Sequence, residues 1–121
     1  MAGKPQTRFP SEVIEKIFLS SLRPNEVSLL LFIARFQFGF NKLQVCICRQ
    51  SEFSYIGMGR AQISKTINSL ISKKVILQGE DFFSFNLNLD EWGVSQRVKC
   101  DLERYNSLIS IHVHRQSKLP K

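Results

Sequence analysis

Residues 60–74, RAQISKTINSLISKK, combine four cations with amides and hydroxyls and contain no acid. Cations neutralise phosphates, and amides and hydroxyls hydrogen-bond the edges of bases, so this mixture suits contact with a nucleic acid. Ile63, Ile67, Leu70 and Ile71 recur at i, i+4, i+7 and i+8, which predicts a helix with one apolar face. Ala61, Gln62, Lys65, Asn68, Ser69 and Ser72 then share the opposite face, and Arg60 flanks the N-terminus. The candidate contact residues on this helix are Arg60, Ala61, Gln62, Ser64, Lys65, Asn68, Ser69 and Lys73. Gln62 suits adenine, Arg60 or Lys65 suits guanine or phosphate, and Asn68 or Ser69 suits either. An ordinary solvated helix face has the same appearance, and Lys73 and Lys74 also suit a helix C-terminus, whose dipole favours cations.

Lys4 and Arg8 lie on an N-terminal stretch with Pro5, Pro10 and no apolar period. They fit either a basic arm that enters a neighbouring groove or a solvated tail. Cys46, Cys48, Cys100, His112 and His114 are soft enough for zinc, but both close pairs are one residue apart, whereas structural zinc sites favour gaps of two to four. On a strand that spacing sends Cys46 and Cys48 to one face, as small packed hydrophobes. No metal or cofactor is expected. Without a Gly-rich phosphate loop or a paired acid near the histidines, no catalytic residue is expected either.

The whole chain has 17 Lys and Arg against 10 Asp and Glu, a net charge of +7, which suits a polyanionic partner. Its 121 residues, 43% of them hydrophobic and ten of them Phe, are enough for one domain with a real core. No apolar run approaches the roughly 20 residues that span a bilayer, and the polar start MAGKPQTRFPSE is unlike a signal peptide. An odd set of three cysteines fits reduced thiols in a cytoplasm.

The elements that must position residues 60–74 follow from periodicity. Ser11 suits a cap for a first helix carrying Val13, Ile14, Ile17, Phe18 and Leu22, which Arg23-Pro24 ends. Pro24, Asn25 and Glu26 suit the first turn of a second helix, apolar nearly all round from Val27 to Phe38 and therefore central, until Gly39. After a turn at Asn41-Lys42, Val45 to Cys48 reads as a short strand. Ser51 to Ile56 reads as a weak helix, broken at Gly57-Met58-Gly59 before helix 60–74, the spacing of a helix-turn-helix. Val75 to Leu77, a turn at Gly79-Glu80-Asp81 and the alternating FFSFNLNL predict a hairpin. Asp90 is a candidate cap, and Val94, Val98, Leu102 and Tyr105 predict an amphipathic helix, with Ile109, Ile111 and Val113 as a strand or a continuation of it.

This order predicts an α+β, mostly α fold, a winged helix-turn-helix with a C-terminal helical or extended appendage. The expected organisation is a flexible basic arm at 1–10, the winged-helix domain at 11–92, and at 93–121 a helix and basic tail that can serve as a dimer arm. From about Thr7 to Trp92 the chain resembles the phage replication protein O family, the lambda-type origin-binding initiators. The resemblance rests on TRFPSEV, on FGFNK at Phe38 to Lys42, on GMGRAQISKTINSLISKKVI and on LDEW at Leu89 to Trp92. It implies sequence-specific binding of double-stranded DNA at a phage origin, a homodimer, and recruitment of a replicative helicase or another replication protein. Phe40 stands where that family usually has Trp, Gly59 where a Ser or Thr cap is common, and Glu80 and Asp81 make the wing tip acidic. A phage or prophage transcriptional regulator is the alternative within DNA binding, and a winged-helix protein-interaction module is the alternative outside it.

Overall fold

The computed structural model describes residues 6–40 and 43–116. Lys4, the Asn41-Lys42 turn and the last five residues of the basic tail lie outside the described residues. The order is α1 (Ser11–Leu19), α2 (Pro24–Gln37), a 3₁₀ helix (Gln50–Ile56), α3 (Arg60–Ser72), β1 (Ile76–Gln78), β2 (Phe83–Phe85), a 3₁₀ turn (Leu89–Glu91) and α4 (Leu102–Gln116). This is an α+β, mostly helical, winged-helix-like arrangement.

Helix α2 is central because its sequence leaves it nowhere else to go. Leu29, Leu30, Ile33 and Ala34 are all buried, and burying each large aliphatic side chain contributes about 1.5–3 kcal/mol. Against them pack Ile63, Ile67 and Leu70 of α3 and Val13 and Ile17 of α1. An aromatic layer closes the other side. Phe53 of the 3₁₀ helix meets Phe83 edge-on at 5.2 Å, and Phe85 stacks with Phe38 at 5.8 Å and Trp92 at 6.2 Å. The Trp92 indole donates to the Asn86 carbonyl at 2.8 Å, so its one polar atom is satisfied where it is buried.

Strands β1 and β2 pair antiparallel, with Ile76 opposite Phe85 and Gln78 opposite Phe83. On its other edge β2 meets the expected Val45–Cys48 strand, which is reduced to one bridging residue: Cys46 and Phe83 exchange both backbone hydrogen bonds, at 2.7 and 2.8 Å. The next N–H on that edge, Phe85, finds no strand and instead donates to the side-chain carbonyl of Gln37 at 2.7 Å. Gln37 is 1% exposed, so a glutamine inside an apolar helix supplies the missing acceptor of a sheet edge. The alternation expected of FFSFNLNL also fails. Ser84 and Asn86 are buried along with Phe83 and Phe85, because β2 is covered on both faces, and Asn86 donates to the Lys74 carbonyl and to Glu91.

The region after Trp92 differs from the predicted helix. Residues 94–97 run extended beside the end of α1, with Ser21 N–H donating to Ser95 O and Arg97 N–H to Leu19 O. Val98 is fully exposed, at 101%, and α4 starts only at Leu102, after Asp101 accepts the Arg104 N–H. Asp101 takes the capping position that Asp90 was expected to fill, and Pro10 rather than Ser11 precedes α1. The Ile109–Val113 stretch is the continuation of a helix. Tyr105 fixes α4 to α1, its ring edge-on to Phe18 at 5.5 Å and its hydroxyl donating to Glu15.

Phe53→Ala is expected to lower unfolding stability by about 3–5 kcal/mol, the cost of emptying a well-packed aromatic site, measured by urea denaturation. Val98→Ser serves as the contrast and should stay within about 0.5 kcal/mol of the parent.

Candidate nucleic-acid interface

Helix α3 is positioned by three devices. The 3₁₀ helix in front of it ends at Gly57, whose φ of +90° makes the turn in a conformation that favours glycine. Gly59 precedes α3 in an extended conformation, and Met58 between them is buried. The aliphatic face of α3 then seats on α2. The third device is a carboxylate. Glu26 in the first turn of α2 is 2% exposed, yet every lone pair that matters is met: one oxygen accepts the Arg23 N–H at 2.9 Å, the other accepts the Ser69 hydroxyl at 2.9 Å, and the Lys73 ammonium bonds to both at 3.2 and 2.9 Å.

Those bonds divide the predicted contact residues into two groups. Arg60, Ala61, Gln62, Lys65 and Asn68 are exposed along the outer side of α3, and Ser64 is half-buried. Ser69 and Lys73 instead turn toward Glu26. The helix wheel put Ser69 outward, but it lies on the flank of α3 that faces α2, where a buried acid needs a donor. Lys73, with its side chain 31% exposed, has its charge balanced by the same carboxylate. Gln62 is held as well, since its side-chain amide donates to the Thr66 hydroxyl at 3.3 Å. A second N–H and the carbonyl remain available to a ligand.

On either side of the α3 ridge lies a groove. One, of about 430 Å³, separates α3 from the first turn of α2 and is lined by Arg23, Asn25, Gln62, Lys65, Ser69 and Lys73 among others. The other, of about 540 Å³, separates α3 from the 3₁₀ helix and is lined by Gln50, Ser51, Ser54, Arg60 and Ile63. Arg23 and Asn25 are exposed and add a cation and an amide that the sequence reading missed. Arg23-Pro24 signals only a helix boundary; that this boundary comes to rest beside α3 is decided by the Glu26 bonds. Arg8 does not join the ridge. Its N–H is fastened to the Phe38 carbonyl at 3.4 Å, past the far end of α2 from Arg23, roughly 20 Å away at 1.5 Å per residue. The hairpin tip presents Glu80 and Asp81, both exposed, so the wing adds negative charge.

Among the described residues, no three His, Cys, Asp or Glu side chains gather in a group able to hold a metal, and no helix is long and apolar enough to cross a membrane. The fold and this ridge define a winged-helix-like domain with one polar, acid-free helix face turned outward. The family model described as bacteriophage replication protein O matches residues 6–92, and the chain belongs to that family. No curated protein and no solved structure matches it.

Burial by itself raises the Glu26 carboxyl, but the bonds from the Arg23 N–H, Lys73 and Ser69 outweigh it and hold the group below its usual value near 4.5. A carboxyl lowered on folding contributes stability that is complete above its unfolded value and is lost as pH falls through the folded one. Glu26→Gln is therefore expected to cost about 1.5–3 kcal/mol at neutral pH, the range for hydrogen bonds to a charged group. In urea denaturation at descending pH the two proteins should converge in acid; a gap that stays constant would exclude the ionised carboxylate as its source.

Proposed function

We propose that this chain binds double-stranded DNA with sequence preference, with α3 in the major groove, in the initiation of phage-type replication. Membership of the replication protein O family supports the process, and the exposed ridge Arg60, Ala61, Gln62, Lys65 and Asn68 supports the binding mode. The ridge is the observation that carries the reading: it offers two cations and two amides along a helix face without an acid. A helix about 10–12 Å across fits a major groove about 12 Å wide. In this arrangement Gln62 and Asn68 face base edges, while Arg60, Lys65 and Arg23 meet phosphates on the two sides of the groove. The acidic wing stays away from the backbone. The proposed role is binding and not turnover, and it takes place in a bacterial cytoplasm, with a replicative helicase or another replication protein and a second copy of the chain as protein partners.

A second reading, a winged-helix module that holds a protein without DNA, is favoured by α4. Leu102, Leu108, Ile109, Ile111 and Val113 all stand exposed on it, and apolar residues gathered on one helix suit a protein surface.

A salt-titrated binding assay on duplexes selected from a random pool separates the two. Lys65→Ala should weaken binding to all duplexes and reduce the slope of log affinity against log salt by about one. Gln62→Ala should cost about 1–3 kcal/mol on the preferred site and flatten the preference at one base pair. A parent protein that shows no salt-sensitive affinity for any duplex would end the DNA reading and leave the protein-binding one.

A further inference from the structure

Cys46 and Cys48 flank Ile47 on the segment that joins α2 to the 3₁₀ helix, and their sulfurs are 3.5 Å apart. One residue between them in extended chain turns both side chains to one side, and the paired hydrogen bonds between Cys46 and Phe83 keep the chain extended there. The two thiols differ in what they can do. Cys46 is fully buried and its S–H donates to the Cys48 sulfur, whereas Cys48 is half-exposed. We propose that Cys46 and Cys48 form a dithiol site that a small disulfide oxidises to an internal Cys46–Cys48 bond, with Cys48 as the attacking thiol and Cys46 as the resolving one.

The assignment of roles follows from access and from the hydrogen bond. A disulfide from solution reaches Cys48 and cannot reach Cys46. The bond from Cys46 lowers the Cys48 thiol, although burial and the nearby Glu52 oppose ionisation there. The same contact, together with burial, pushes the Cys46 thiol far upward, so it waits protonated. With oxidised glutathione as the oxidant, the Cys48 thiolate attacks one sulfur, forms a mixed disulfide and releases one glutathione thiolate. Cys46 then passes its proton to that thiolate or to solvent and attacks the Cys48 sulfur, releasing the second glutathione. The protein loses two hydrogens, and one oxidised glutathione becomes two reduced ones.

Closure brings the sulfurs from 3.5 Å to about 2.0 Å. Two residues of extended chain separate their Cα atoms, and the parallel Cβ atoms, by about 6.6 Å, beyond the roughly 3.5–4.5 Å between the Cβ atoms of a bridged pair, so closure requires the backbone at Ile47 to bend. That bending strains the bridge, and strained disulfides are readily reduced, so the site is expected to open and close with the thiol balance around it. Its position gives the change something to act on. Phe83, the strand partner of Cys46, packs against Phe53 of the 3₁₀ helix, which in turn supports α3.

Cys100 provides an internal standard, because it lies on the segment before α4 and its sulfur is within 3.2 Å of the Gln96 amide and not of another thiol. The test is to treat the full chain with oxidised glutathione and map the modified cysteines by mass spectrometry. Expected is a Cys46–Cys48 peptide lighter by two hydrogens, with glutathione held only at Cys100, and full recovery on adding excess dithiothreitol. C46S should turn the result at Cys48 from no adduct to one stable glutathione per chain; if that variant does not fold, C48S replaces it and should leave Cys46 unmodified. The inference is overturned if the parent chain keeps glutathione on Cys48, or if neither Cys46 nor Cys48 reacts under conditions that modify Cys100.

Discussion

A carboxylate taken out of water has to be matched by donors, and in this fold the matching of Glu26 sets the relation between α2 and α3. Its partners come from three places: the backbone just before α2, a hydroxyl on α3, and the ammonium at the end of α3. No single helix supplies that set. The bonds form together only when the first turn of α2 lies beside the later half of α3, which is the geometry that leaves the outer ridge free and opens a groove next to Arg23. Apolar burial of Ile63, Ile67 and Leu70 brings the helices together, but aliphatic contact is weakly directional. The charged hydrogen bonds fix the register.

The same constraint sorts the charges. The excess of cations on residues 60–74 is smaller at the surface than it is in the sequence, since Lys73 is balanced by Glu26. Arg23 restores a cation on the opposite wall of the groove. The acids of the hairpin, Glu80 and Asp81, lie exposed at its tip, whereas the exposed face of α3 carries no acid.

Much of this architecture was legible in local pattern. The aliphatic residues of α3 at i, i+4 and i+7, the proline at the start of α2 and the Gly57 turn each follow from backbone sterics or from helical period, which act over a few residues. Where the reading departed from the structure, a distant partner intervened. Ser69 has the sequence position of an outward residue and is turned aside by an acid 43 residues away. Gln37, a polar residue within an apolar helix, completes the edge of β2. Val94 and Val98 matched a helical period, but the backbone at 95–97 pairs with the end of α1, and a hydrogen-bonded extended segment cannot also be helix.

The family, the helical period of α3 and the identity of the residues on its polar face can be read from residue order, because they depend on interactions between near neighbours. Which of those residues are free depends on contacts between distant parts of the chain. Ser69 and Lys73 are bonded to Glu26 and Arg23 and Asn25 come to line the same groove, because the need to satisfy a buried charge or a bare strand edge is met by whichever group the fold brings close, however far away it lies in the chain.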